Sequence, residues 1–379
     1  MTPRFRVLTS NLLLVLIFLY GVGLVQVYSS SYIFAIDTYG DGLYFFKRQL
    51  LFTFISLGLL LCVAHIPSRW LSRWGWLSWF VVSALLLLTL VPGLGVKVGG
   101  ASRWLPSPLG FRLEPSEFLK IAFCLFFASL FVRKENRLGQ FHWIFILAVL
   151  FIPLVALLKQ PDFGSFVILS LVGFLLLFAF GLRFRAMVAL LILAVPALLL
   201  LALSQSYRRH RILAFLDPWS NAETKGFQVI QSMLSFQSGG VFGNGIGNSQ
   251  GKLYFLPEAH TDFTLAIFGE EFGLVGFLIL LSLYGFCIFR SFQVVEFTES
   301  KFSKALVLGL LSVFGLSIVI NCGVVLGLLP TKGLTLPFLS YGGSSLIAMG
   351  ILFGLILNVE RQLDQPVINK TRRRNFHES

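Results

Sequence analysis

Ten apolar stretches of about 20 residues, each long enough to cross the hydrocarbon of a bilayer as a helix, dominate this chain of 379 residues. They run approximately over 11–29, 49–66, 75–94, 115–132, 143–158, 164–182, 186–204, 262–289, 303–327 and 343–358. A backbone in lipid must satisfy its own N–H and C=O groups, and an uninterrupted apolar run does so as a helix. With 56% hydrophobic and only 12% charged residues, the apolar surface exceeds what a soluble core of this size could bury. The expectation is an all-α integral membrane protein of ten transmembrane helices forming one domain over 1–379. The fifth run is short, and the last is rich in glycine. Cys62, Cys124, Cys287 and Cys322 all fall inside the runs, where a thiol packs as a small hydrophobe, so no disulfide framework is implied.

The cations set the orientation. With a cytoplasmic N-terminus, the inner segments carry Arg4 and Arg6, Arg69 and Arg73, Arg133, Lys134 and Arg137, Arg183 and Arg185, then Arg290, Lys301 and Lys304. The tail over about 359–379 adds Arg361, Lys370, Arg372, Arg373 and Arg374. Short basic loops stay inside, so both termini are expected in the cytoplasm, and the first run, which lacks a small-residue cleavage site, is expected to remain as a span. Topology thus accounts for most of the net charge of +13. The basic tail suits anionic headgroups, and nucleic acid is not an expected partner.

Two outward segments interrupt the pattern, 95–114 (GVKVGGASRWLPSPLGFRLE) and 205–261. Both are polar and rich in glycine and proline, and long loops in a compact fold usually carry function. In the second, KGFQVIQSMLSF has amphipathic spacing at Phe227, Ile230, Met233 and Leu234, which predicts a helix along the membrane surface. The glycines of SGGVFGNGIGNSQGK after it permit tight turns near a ligand or another chain.

Each charge inside a span costs roughly 2.5–3.5 kcal/mol on insertion scales and needs a partner or a water-filled cavity. Asp262, Glu270 and Glu271 belong to the eighth run. Ideal helical geometry puts Glu270 roughly 12 Å deeper than Asp262 and Glu271 about 180° around from it. The two glutamates are therefore expected to be structural charges paired within the bundle, and Asp262, at the mouth of a polar loop, a functional group. Gly269, Gly273 and Gly276 beside them would admit a close neighbouring helix. Glu117 and Lys120, three apart on the fourth run, share a face and form an expected ion pair. Alternatively, they line a cavity open to the outside. Lys159, Asp162, Lys332, Arg208 and Arg211 complete an electropositive outer mouth around one carboxylate, suited to an anionic lipid-linked substrate. His260 could assist Asp262 or simply pack.

At these positions PEAHTDF, GEEFG, LDPW, GNGIGNS, KQPDFG, PSEFLK and GLLPTKGLTLPFLSYGGSS resemble, in order, the motifs of the SEDS family (shape, elongation, division and sporulation), whose members polymerise peptidoglycan from lipid II. The likeness covers nearly all of the chain from about 96 onward and is nearer the division-specific than the elongation-specific branch. It implies that Asp262 is the catalytic aspartate, with Arg208, Arg211, Lys332, Glu117, Lys120 and His260 around the substrate and its pyrophosphate. It also implies no organic cofactor, a divalent cation (Mg or Mn) at most, and residence in the bacterial inner membrane at the division site. Implied partners are lipid II, the growing lipid-linked glycan, a class B penicillin-binding transpeptidase and other division proteins. The chain departs from the family pattern at Phe227, where tyrosine is common, in SFQSGG, and at Glu114, where a glutamine is usual. Two other classes fit the charged bundle: a flippase that carries lipid II across the membrane, and a scaffold for division proteins. Against the flippase, the polar mass is one-sided and no pair of interrupted spans is evident in corresponding halves.

Overall fold

The computed structural model describes residues 3–98, 100–107, 111–133, 140–179, 213–221, 226–330 and 333–364, with 185, 188, 189, 192 and 196 between. Its elements, in order, begin with α1 (Pro3–Tyr39), α2 (Tyr44–Ala64) and α3 (Ser68–Leu88), followed by strands β1 (Val96–Val98), β2 (Ala101–Pro106) and β3 (Arg112–Leu113). Helices α4 (Pro115–Arg133), α5 (Gln140–Lys159), α6 (Phe163–Ala179), α7 (Gly226–Gly239), α8 (Thr264–Phe297), α9 (Lys301–Val325) and α10 (Gly343–Asp364) complete the set. Among the described residues six helices, α1, α2, α3, α8, α9 and α10, are long and apolar enough to cross a membrane. The chain is a multi-pass membrane protein. Most of the run expected at 186–204 lies outside the described residues.

Helix α9 occupies the middle of the bundle, with Ala305, Leu306, Val307, Leu310 and Val313 fully buried between α4, α6, α8 and α10. The glycine-rich last run is a regular helix, and its glycines have a packing reason. A side chain at Gly350 would begin 2.3 Å from the Ser56 hydroxyl, and one at Gly354 would begin 2.7 Å from the Leu60 carbonyl. Backbone thus lies on backbone where α10 crosses α2, and the Ser56 hydroxyl donates to the Leu346 carbonyl at 2.6 Å. Small residues permit such an approach where lipid offers no hydrophobic drive between helices.

The segment 95–114 is a small antiparallel sheet in the order β1-β2-β3. Val98 faces Ala101 and Leu105 faces Leu113, and the turn into β2 ends on Gly100 at φ 81°, a conformation that glycine adopts without steric cost. The sheet rests on the bundle through β2 against α4 and β3 against α10.

The amphipathic helix expected in the larger loop is α7. Its buried face is Gly226, Val229, Ile230, Ser232, Ser235 and Gly239, packed on α8 and α9, while Leu234 is exposed. The Ser232 hydroxyl donates to the Val325 carbonyl at 2.6 Å. Small and polar residues bring this helix against its neighbours because bulky ones would hold it away.

Helix α8 is broken at Gly273, whose φ of 66° and ψ of −166° are not helical. The chain after α7 fills the break. Asn244 and Gly245 donate to the carbonyls of Glu270 and Glu271, both at 3.0 Å, and Leu274 and Val275 donate to those of Gly240 and Val241, at 3.0 and 3.1 Å. Thus Gly269 admits a close neighbouring helix as expected, namely α7, and Gly273 receives the loop that follows it. A side chain on Gly273 would begin 2.3 Å from the Gly243 nitrogen, and one on Gly269 2.5 Å from the Phe236 ring.

Candidate active site

Asp262 lies before α8, not on it: the helix begins at Thr264, and residues 256–263 form a series of turns. The helical angles expected between Asp262 and the two glutamates therefore do not apply. In the turns, Thr261 and Phe263 donate to the Glu258 carbonyl at 3.1 and 3.3 Å. Asn321, from the middle of α9, donates at 3.2 Å to the Asp262 carbonyl and at 2.6 Å to that of Leu334. One carboxamide thus holds the Asp262 turn beside the segment after Pro330.

Beside it stands Arg103 of β2. A side chain on Gly333 would begin 3.3 Å from Asp262 Oδ2 and 3.4 Å from Arg103 Nη1, so both charged groups border the same point. Arg103 Nη2 donates to the carbonyl of Pro161 at the α5–α6 junction. The next residue, Asp162, is buried and caps α6 by accepting from the Ser165 amide at 3.2 Å, the usual service of an N-cap aspartate.

The expected pair at the start of α4 is formed. Lys120 Nζ lies 2.7 Å from Glu117 Oε1 with both side chains buried. Glu114, just before the helix, donates its amide to the Ser344 hydroxyl at 3.0 Å. Its carboxyl is pushed up to about 8 by desolvation first, then by the negative charges of Glu117 and Asp162, with Arg103 and Lys120 opposing. Glu114 therefore holds its proton near neutrality, which makes it a close mimic of the glutamine usual at this position in the SEDS pattern.

Glu270 and Glu271 have the separate partners expected of structural charges, supplied mostly by the loop rather than by other spans. Glu270 accepts from the Ser249 hydroxyl at 2.5 Å and from the amides of Gln250 and Gly251 at 2.9 and 3.2 Å. Glu271 Oε1 accepts from Ser29 of α1 at 2.5 Å, the Gly247 amide at 3.1 Å and Lys252 at 3.1 Å.

His260 is engaged in packing. Its ring stacks on Phe34 at 5.3 Å between centroids and tilts against Phe45 at 4.8 Å and Tyr341 at 6.1 Å. Burial among these rings lowers its pKa, so the neutral form is favoured and a phosphate contact is not the role its surroundings suit. Arg208, Arg211 and Lys332 lie outside the described residues. Among the described residues no group of three His, Cys, Asp or Glu side chains could hold a metal ion.

Sequence reasoning missed Arg103 and Asn321. Arg103 stood in a loop already singled out, but its strand and its neighbour at Gly333 are tertiary facts. Asn321 carried a readable signal, a polar residue in the middle of an apolar run, which a search for charges alone passes over.

Residues 9–365 match the FtsW/RodA/SpoVE family, described as cell cycle protein. The chain belongs to this family. It is 40% identical over 354 residues to a probable peptidoglycan glycosyltransferase FtsW of Geobacter metallireducens, covering 93% of this chain and 94% of that one. It is 41% identical to the protein of the same description from Trichlorobacter lovleyi, covering 93% of each. Its fold matches a chain solved in a study of how a peptidoglycan synthase complex coordinates polymerization and crosslinking, with a TM-score of 0.74 at 27% identity over 94% of this chain and 98% of that one. Thermus thermophilus RodA, a rod shape determining protein, matches with a TM-score of 0.68 at 25% identity over 93% of this chain and 96% of that one. This chain thus shares its helical architecture with Thermus thermophilus RodA.

Proposed function

We propose that this chain is a peptidoglycan glycosyltransferase that polymerises lipid II on the outer face of the cytoplasmic membrane, working in cell division beside a class B penicillin-binding transpeptidase. The observation that carries the reading is the meeting of Asp262 and Arg103 at Gly333, in a chain about 40% identical to named glycosyltransferases over nearly its whole length. In the reaction, the 4-hydroxyl oxygen of a lipid II N-acetylglucosamine attacks the anomeric carbon at the lipid-linked end of the growing strand. The bond from that carbon to the diphosphate breaks, its electron pair leaves with undecaprenyl pyrophosphate, and the hydroxyl proton passes to Asp262. Attack from the face opposite the leaving group inverts the anomeric centre. Family likeness assigns Arg208, Arg211 and Lys332 to the diphosphate. A divalent cation would enter with the phosphates, as Mg²⁺ commonly does with one or two carboxylates at most.

The break in α8 bears on the flippase alternative. Interrupted helices of transporters line their substrate cavity with unwound backbone, whereas here the freed groups around Gly273 are bonded to the loop that fills the break. That favours the polymerase. The direct test incubates the purified chain, with and without its transpeptidase, with lipid II and sizes the products. Glycan strands are expected, and transport without polymer would overturn the reading. The accompanying topology of ten spans with both ends cytoplasmic predicts that cysteine labelling finds Asn221 outside and Glu135 inside.

A further inference from the structure

The turn between α1 and α2 has no part in the reaction just described, yet it packs against the segment that carries Asp262. Asp41 fixes this turn: its side chain accepts from the Leu43 amide at 2.9 Å and from Lys47 at 2.8 Å, and its carbonyl accepts from the Tyr44 amide at 3.0 Å. The last residue of α1 and the first of α2 are thereby brought together. The rings of Tyr39 and Tyr44 lie 3.9 Å apart and within 7° of parallel. The Arg48 guanidinium lies 4.4 Å over the Tyr44 ring, and since one face of that ring is taken by Tyr39, it occupies the other. A cation over a ring face is an attractive, directed contact, so the stack is formed before any ligand arrives.

Inward, the stack leads to the candidate active site. Arg48 lies beside the Tyr341 hydroxyl, the Tyr341 amide donates to the His260 carbonyl at 2.9 Å, and His260, two residues before Asp262, packs on Phe34 of α1 and Phe45 of α2. Outward, the stack ends on Tyr39. That residue is 50% exposed although one face of its ring is covered, which leaves ring surface for a ligand. Anchoring a span in the membrane interface needs only an amphipathic ring at headgroup level. It gives no reason for two rings and a guanidinium to be stacked in a line that leads to the turn of Asp262.

We propose that Tyr39, backed by Tyr44 and Arg48, is a subsite for the growing glycan strand, on which a pyranose ring of the strand stacks by its C–H face. The proposal rests on the glycosyltransferase reading and adds to it a place where the product is held. A pyranose chair with equatorial substituents carries its polar groups around the rim and C–H bonds on its two faces. Those weakly positive hydrogens meet the negative face of an aromatic ring, while the phenol hydroxyl stays free to bond at the rim. Every unit of the strand offers the same face, so the contact can be remade after each addition without fixing the register. Strand length follows the ratio of bond formation to strand release, and this contact acts on release.

The test uses the full chain, purified with and without its transpeptidase, chitotetraose, a β-linked oligomer of N-acetylglucosamine, as the binding probe, and lipid II for strand length. Tyr39→Ala is expected to weaken chitotetraose binding about threefold to tenfold, the scale of one ring stack. It should shorten the strands made from lipid II by about the same factor, because release quickens in proportion. Tyr39→Trp keeps an aromatic face and should keep both properties. Tyr39→Leu keeps apolar bulk for lipid without the ring face and should behave as Tyr39→Ala. Unchanged affinity and strand length in Tyr39→Ala overturn the proposal and leave the glycosyltransferase reading standing. Absence of chitotetraose binding by the unaltered chain overturns it too, as does a Tyr39→Leu chain that matches the unaltered one, which would make the residue a lipid anchor. A loss that tracks a lower melting temperature and is not relieved by Tyr39→Trp also overturns it, in favour of a stack that only holds the turn. Selective loss of binding in Tyr39→Ala and Tyr39→Leu, with no polymer made by the unaltered chain, upholds the sugar site and sinks the glycosyltransferase reading instead.

Discussion

Two groups of carboxylates lie within ten positions of one another, and the protein treats them oppositely. Glu270 and Glu271 are buried and gripped by a loop, between them accepting from two serine hydroxyls, three amides and a lysine. Asp262 is only half-buried; its main chain is held by Asn321, and it borders the same point at Gly333 as Arg103. A charge whose bonds are made by its own chain has little left to offer a substrate. A charge whose backbone is fixed and whose side chain borders a cation and a glycine can act on another molecule. On the proposed reading, the kind of partner, rather than depth alone, separates a structural carboxylate from a reactive one.

The contrast breaks most sharply in turnover. Asp262→Asn keeps size and hydrogen-bonding capacity and removes the base, so lipid II polymerisation should fall by ~100-fold or more with melting temperature and membrane level unaltered. Near-normal polymer from that variant would erase the distinction. The structural side should fail in the other currency. Gly243 sits at φ 78°, and a side chain there would begin 2.2 Å from the Glu271 carbonyl, so Gly243→Ala should lower the melting temperature by several degrees, in line with a loss of roughly 1–3 kcal/mol from backbone strain. Glu271→Gln, which removes the charge opposite Lys252, should act in the same direction and be read by the same melting curve.

A smaller effect tests the buried pair. Glu117→Lys with Lys120→Glu should recover much of the folded protein lost in either single variant, because removing one partner alone strands a buried charge. Recovery of protein without polymer would show that the polarity of the pair is felt by the substrate. The smallest effect is a pH limb. Glu114 has its pKa raised to about 8, so the folded chain binds this proton more tightly than the unfolded one. Its contribution to stability is complete below the ordinary carboxylate range and is lost as pH rises through about 8. Above that pH a new negative charge would also oppose the departing diphosphate. Glu114→Gln should therefore move the alkaline fall in both melting temperature and turnover to higher pH, and an unmoved limb would assign it to another group.

Much of this was legible before any coordinates. Apolar length located the helices, because lipid leaves the backbone few other solutions, and the three-residue spacing of Glu117 and Lys120 gave their ion pair directly. Asp262 does have different surroundings from Glu270 and Glu271, but for a different reason than expected: it precedes the helix, and helical phase has no bearing on it. What could not be read was where backbones touch. The break at Gly273 and the loop seated in it depend on glycines 30 residues apart meeting main chain to main chain, and no local pattern distinguishes these from glycines that admit a helix. The meeting of Arg103 with Asp262 likewise depends on a strand, a helix junction and a turn that are distant in sequence.

Asn321 and Arg103 share a habit with a consequence for how such a site changes over generations. Both donate to main-chain carbonyls, those of Asp262 and Leu334 for Asn321 and that of Pro161 for Arg103. Every amino acid carries the same carbonyl. Substitution at 161 or 334 can therefore alter side-chain size and polarity while the acceptor stays in place, and the burden of inheritance falls on the two donors. Side chains at 161 and 334 can change without moving the Asp262 main chain relative to the Arg103 tether, so long as Asn321 and Arg103 are kept.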